Sequence, residues 1–175
     1  MKLALCIDLD GTLIRKDVTN LACWKYVREN FFRVFQVMAW LFRGRAYLKH
    51  KLAERVDIDP GKLRYNIEFL SFLEKEKLDG REIFLATGCN ERYAHLMASY
   101  FGLFSEVFAS NESTNLTGEA KAKKLVEKFG NHNFVYAGNS SSDVAVWKKS
   151  VEAILVNPTI GARIGMRGRK YTLFK

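Results

Sequence analysis

Leu3-Ala-Leu-Cys-Ile-Asp-Leu-Asp-Gly-Thr12 is the stretch that decides the reading of this chain. The apolar run ahead of Asp8 is too short for the core of a secretory signal and reads as a strand buried on both faces. Asp8 and Asp10 leave that strand two residues apart, so both carboxylates can approach one cation, and Gly11 lets the backbone turn away sharply. With a cation screening the repulsion between carboxylate and phosphate, Asp8 can attack a phosphorus atom. Asp10 is then placed to protonate the leaving oxygen and later to deprotonate water. An Asp-Gly pair also marks ordinary turns, so the rest of the chain must supply the context.

Working outward, Ile83–Ala86, Phe134–Ala137 and Ala153–Val156 are further short apolar runs, with Glu106–Ala109 a weaker one. Runs of this kind suit a parallel sheet covered by helices. Asn66 and Asn90 are placed to cap helices that stop at Gly80 and Gly102. Helix and strand alternate, which predicts an α/β fold. The connection from the first strand to Ile83 is longer than one crossover needs. Its surplus, residues 16–65, is read as a helical cap over a core made of 1–15 and 66–175. Leu21, Trp24 and Val27 are spaced for one helical face, and Phe31–Phe42 and Arg45–Val56 continue the helical pattern before Pro60-Gly61 closes it. An insertion there lies at the carboxyl edge of the sheet, where such sheets place their ligands.

With the first motif in place, the chain resembles phosphatases of the haloacid dehalogenase superfamily, whose first motif is Asp-x-Asp-Gly-Thr on the first strand. The resemblance implies a Rossmann-like core with a helical cap and a Mg²⁺-dependent phosphomonoesterase working through a phosphoaspartyl intermediate. It assigns Thr87, with Gly88, to the phosphoryl oxygens. It also implies a lysine that neutralises phosphate and nucleophile, and three lie between Gly118 and Leu125. Lys121 borders the buried face nearest the helix start, so it is the choice. Gly138-Asn-Ser-Ser-Ser-Asp143 resembles the fourth motif, with Asn139 in its first acidic position. Asp143, near a helix that Ser142 could cap, is implied to join Asp8 and the carbonyl of Asp10 around the metal. Asn139 could ligate through its amide oxygen but brings no charge.

Further segments, among them Leu103–Val107, Tyr136–Ser140, Leu41–Arg45 and Leu52–Arg55, resemble the small phosphatase domain that precedes the membrane part of certain UbiA-type prenyltransferase fusions. That likeness does not settle a substrate. Within the same fold, transfer of the phosphoryl group to an acceptor other than water is the rival reaction.

Composition narrows the partners. The chain has 175 residues, 48% of them hydrophobic and 27% charged, which excludes disordered, collagenous and coiled-coil classes. Lys and Arg number 28 against 19 Asp and Glu, a net +9 that favours a negatively charged partner. Cys6, Cys23 and Cys89 show neither disulfide nor zinc spacing, pointing to a reducing cytoplasm. Cys89 follows the phosphate motif and reads as a buried, unreactive thiol. Leu21–Arg55 mixes eight basic residues with six Trp and Phe and only two acids, Glu29 and Glu54. It suits a cap whose aromatics pack on one another, a basic and partly apolar substrate pocket, or a surface that meets anionic membrane. The segment after Pro158 carries Arg163, Arg167, Arg169, Lys170 and Lys175 without an acid and reads as a solvated tail. No nucleic-acid motif accompanies it, so a small phosphorylated substrate is the expected partner. A catalytically weak module binding lipid or nucleic acid through cap and tail is the alternative outside enzymes.

Overall fold

The sheet is built around the first strand. The computed structural model describes residues 2–174. Strand β1 (Leu5–Ile7) leads into helices α1 (Val18–Glu29), α2 (Arg33–Phe42) and α3 (Arg45–Arg55), then α4 (Ile67–Leu78) and β2 (Ile83–Asn90). Helix α5 (Glu91–Phe101), β3 (Glu106–Ser110), α6 (Glu119–Phe129) and β4 (Val135–Gly138) follow. The chain closes with α7 (Val144–Trp147), β5 (Glu152–Val156), α8 (Ile160–Gly165) and β6 (Thr172–Phe174). Six strands form one sheet in the order β3-β2-β1-β4-β5-β6, every neighbouring pair parallel.

The apolar runs are strands because both faces of the sheet are covered. Leu5 and Ile7 belong to a core on one face with Phe69, Leu73 and Met97, while Cys6 belongs to a second core on the other with Leu125, Trp147 and Leu155. Asn66 and Asn90 cap α4 and α5 through their side-chain oxygens, as their positions predict. After β1 the chain proceeds to β2 and β3 on one side and then to β4 on the other. The carboxyl ends of β1 and β4 therefore flank the crevice where strand order reverses.

Strand β2 slips register against β3 between Ala86 and Asn90. The irregularity falls on Thr87-Gly88-Cys89 and ends the regular pairing at the crevice. Helices α1–α3, inserted between β1 and α4, are joined at their base by a two-ply stalk and share the sheet's core through Val18, Ala22, Leu52 and Ala53. The Arg15 N–H donates to Arg64 O and the Asn66 N–H to Leu13 O, both at 2.9 Å, and Ile14 bridges to Tyr65.

Three expectations are corrected. Helix α1 buries Val18, Ala22 and Tyr26, while Leu21 and Val27 are half-buried and Trp24 is exposed. The Val18 N–H is held at 2.8 Å by Asp10, and this anchor turns the row at i, i+4 and i+8 inward. Second, α2 buries none of its residues completely; Tyr26 packs on Trp40, but Phe31, Phe32, Phe35 and Phe42 are exposed. Third, residues after Pro158 are no loose tail. β6 pairs with β5, and the Phe174 ring lies 5.5 Å from Phe69 and 5.0 Å from Phe72. Arg163, Arg167, Arg169 and Lys170 remain exposed, and Lys175 lies outside the described residues.

Candidate active site

Asp8, Asp10, Lys121 and Asn139 line one cavity of about 270 Å³ at the crevice. Gly11 makes their approach possible. Its φ of +76° suits glycine, and a Cβ there would sit 2.1 Å from Asn139 Nδ2. The Asn139 amide therefore lies directly against the turn that carries the two carboxylates.

Lys121 Nζ lies 3.0 Å from Asp8 Oδ1 and 3.4 Å from Asp143 Oδ1, and it donates to the Tyr136 hydroxyl at 2.8 Å. Burial pulls its pKa down, but the charges of Asp8 and Asp143 outweigh burial and hold it above the usual lysine value. The two first-strand carboxylates differ. Burial, offset by Lys121, pushes Asp8 to about 6, whereas burial together with the charges of Asp17 and Asp8 pushes Asp10 to about 8. Both carboxyls are thereby held above the ordinary aspartate value, Asp10 further than Asp8.

Two expected site residues do not line the cavity. Thr87 is fully buried, its Oγ1 accepting from the Cys89 N–H at 3.0 Å, and neighbouring Gly88 reaches the cavity instead. Asp143 lies beneath the cavity with both carboxylate oxygens committed. Oδ1 accepts from Tyr136 at 2.7 Å and from Lys121; Oδ2 accepts from the Asn139 N–H and from the Ser140 N–H and hydroxyl at 3.0–3.1 Å. Burial opposes its ionisation, but Lys121 and these donors hold its pKa below the ordinary value. The turn is a capping box between Ser140 and Asp143, so Ser140 fills the cap position expected of Ser142. Gly138 leaves the necessary room, since a Cβ there would lie 2.7 Å from Asp143 Cγ. Cys89 is buried, and burial pushes its thiol well above the usual range, which leaves it inert.

Three contributors escaped the sequence reading. Lys49 of α3 reaches the cavity from the cap and donates to Gly88 O at 2.5 Å and Asn115 Oδ1 at 2.8 Å, and burial lowers its pKa. Ser110 donates to the same Gly88 carbonyl at 2.8 Å and so fixes the irregular end of β2. Tyr136 joins Lys121 to Asp143. Its hydroxyl in a strand buried on both faces is a local signal, because such a group needs a partner.

A family model described as haloacid dehalogenase-like hydrolase matches residues 5–148. The chain belongs to that family. The hydrolase is 33% identical over 164 residues to the uncharacterized protein y4nM of Sinorhizobium fredii (strain NBRC 101917 / NGR234), a match covering 89% of this chain and 30% of that protein. It thus spans about a third of that relative's length. Among solved structures, a protein of unknown function from Bordetella pertussis Tohama I superposes with a TM-score of 0.74 at 15% identity, covering 100% of this chain and 99% of the other. A phosphoserine phosphatase captured as a phospho-aspartyl intermediate analogue superposes with a TM-score of 0.67 at 14% identity, over 99% of this chain and 94% of the other. These likenesses establish a haloacid dehalogenase-like α/β fold for the hydrolase.

The cavity's donors suit a hard divalent cation. Its candidate ligands are all oxygens, from Asp8, Asp10 and the Asn139 amide drawn close by Gly11. Among the described residues no group of three or more His, Cys, Asp or Glu is arranged to hold a metal. Two aspartates and an amide oxygen fit Mg²⁺, which is ordinarily held by one or two carboxylates and keeps several waters.

Proposed function

We propose that this hydrolase is a Mg²⁺-dependent phosphomonoesterase acting through a phosphoaspartyl intermediate. The observation that carries the reading is the pair Asp8 and Asp10, two residues apart and lining one cavity with the buried Lys121, whose Nζ lies 3.0 Å from Asp8 Oδ1. An Asp8 carboxylate oxygen forms a bond to phosphorus as the ester P–O bond breaks, and Asp10 gives its proton to the leaving oxygen. Asp10 then takes a proton from water as that water attacks phosphorus, the Asp8–phosphorus linkage breaks, and phosphate leaves. Lys121 meets the negative charge of the phosphoryl group, and Gly88 at the irregular end of β2 borders the same space. Asp8, the backbone carbonyl of Asp10 and Asn139 would hold Mg²⁺, which supplies charge neutralisation when bound. Asp143 is assigned to holding Lys121 and the Asn139–Ser140 backbone in place.

The cavity favours a small, polar substrate. Lys49 and Thr19 border it from the cap, no purely apolar side chain lines it, and α2 does not reach it. No aromatic side chain of the cap lines this cavity. The free thiols of Cys6, Cys23 and Cys89 suit a cytoplasmic setting, and no helix among the described residues is long and apolar enough to cross a membrane.

A panel of sugar phosphates, nucleoside monophosphates, phosphorylated small acids and isoprenoid phosphates, assayed with Mg²⁺ and with chelator, tests the proposal. Small polar esters should be hydrolysed only with the metal, and no hydrolysis of any member would overturn it. The pH dependence is a second test. Turnover measured as kcat/KM should rise through about pH 6 as Asp8 ionises and fall through about pH 8 as Asp10 loses its proton. Bound metal draws both limbs to lower pH, because positive charge favours the ionised form of either carboxyl. A rate that keeps climbing on the alkaline side would remove Asp10 from the acid's role.

Asn139→Asp should lower the Mg²⁺ concentration for half-maximal rate on the order of tenfold, since one more carboxylate would face the cation. Titration of initial rates against Mg²⁺ reads this directly, and an unchanged midpoint would place residue 139 outside the coordination shell.

A further inference from the structure

The exposed face of the cap has no role in the catalytic cavity. Phe31, Phe35, Met38 and Phe42 are spaced by four, three and four residues and so form one stripe along α2 and its lead-in. Phe31, Phe35 and Phe42 are 73%, 67% and 87% exposed, and Phe32 and Leu41 widen the stripe. Soluble surfaces rarely leave so many large apolar side chains contiguous. The opposite side of α2, through Val37 and Trp40, already packs on the core.

The charge around this stripe has one sign. No acidic residue occurs between Asn30 and Ala53, while Arg33, Arg43, Arg45, Lys49 and Lys51 do. Arg33 is neutralised by Glu29, but Arg43 and Arg45 are exposed beside Phe42, with no ion pair among the described residues. Arg43 lies over the Tyr47 ring at 3.9 Å, and Arg28 over the ring of the exposed Trp24 at 4.9 Å. Long basic side chains can lay their stems along an apolar surface and keep their charge at its rim.

We propose that α2 docks this hydrolase on the surface of an anionic lipid bilayer. The helix lies in the interfacial plane with Phe31, Phe35, Met38 and Phe42 turned toward the acyl boundary and Arg43 and Arg45 among the headgroups. At ten residues α2 is about 15 Å long, enough to lie in the interface and far too short to cross it. A second copy of the chain fits the face poorly, because pairing it with itself brings two arginine rims together without an acid to separate them. Since no α2 residue lines the catalytic cavity, docking places the enzyme without occupying its site.

The test is co-sedimentation of the purified chain with vesicles of mixed phosphatidylserine and phosphatidylcholine, beside vesicles of phosphatidylcholine alone. The wild type should bind the mixed vesicles, bind the neutral ones about tenfold less, and release as salt is raised. Phe35→Ser combined with Phe42→Ser, and separately Arg43→Gln combined with Arg45→Gln, should each weaken binding about tenfold or more. Turnover of a soluble substrate should not change in either. Arg43 and Arg45 are exposed and lie outside the core, so the arginine variant's result stands even where the Phe variant fails to fold. Equal binding to neutral vesicles, wild-type binding by the arginine variant, or a dimer in solution that the Phe substitutions dissociate would overturn the proposal.

Discussion

Asp8→Asn should give a folded protein whose turnover is lower by about 10⁴-fold or more. The substitution keeps the shape of the side chain but removes both the nucleophile and a carboxylate from the metal site. Folding should survive, because Lys121 retains Asp143 and the Tyr136 hydroxyl as partners. The decisive measurement follows radiolabelled phosphoryl groups through an acid quench. Label should remain on the wild-type protein and be absent from the variant. Near-normal phosphate release by Asp8→Asn, or equal labelling of both proteins, would end the covalent mechanism. Asp10→Asn should lose about 10² to 10⁴-fold in rate, the usual worth of a positioned acid and base.

Lys121→Met should have the largest effect on stability. The variant keeps the aliphatic stem but leaves Asp8 and Asp143 buried without a countercharge, and breaking a buried pair in this way costs about 3–5 kcal/mol. The direction of its pH dependence is diagnostic. Without the lysine, burial raises the folded-state pKa of Asp8 further above its unfolded value, and Asp143 loses the main opposite charge that holds its own down. A raised group contributes stability at low pH that is lost as pH rises through the folded pKa. Relative to wild type, the variant should therefore recover thermal stability as pH falls from neutral toward 4, close to the unfolded carboxylate pKa. In the wild type the depressed Asp143 acts in the opposite sense, stabilising above its unfolded pKa and ceasing to do so as pH falls. Melting temperatures of both proteins across that range measure the difference, and a constant gap would show that the loss is one of packing.

The elements that could be read from sequence are those whose cause is local. Leu5–Ile7 and Val135–Gly138 are apolar on both faces because helices cover both, and Asn66 and Asn90 carry their own capping oxygens. Lys121 could be chosen among three lysines because helical periodicity separates a buried edge from a solvated face. Lys49 could not be found in that way, for it is one of many cap cations and its importance comes from Gly88, which the fold brings to it from 39 residues away. β6 was equally hidden. Thr172–Phe174 is a short stretch beside basic residues, and its pairing depends on the open edge of β5. Trp24 misled because its spacing with Leu21 and Val27 is sound, while the contact between Asp10 and the Val18 N–H sets the helix rotation from outside the helix. Asp143 shows the same limit. Its place in the motif was legible, but the five donors that occupy its oxygens come together only when β4, α6 and the Ser140 turn meet.

The stalk beneath the cap bears on how this chain comes to be folded. Neighbours in the sheet, β1 and β2 are separated in sequence by the entire cap, and long separations slow strand pairing because the intervening loop must first be closed. Where Leu13 and Arg15 zip to Asn66 and Arg64, with Ile14 bridged to Tyr65, the cap becomes a side branch and the two strands become effective near neighbours. The stalk is thus a point from which β1 and β2 can find one another, after which Val18, Ala22, Leu52 and Ala53 of the cap complete the core on that face of the sheet.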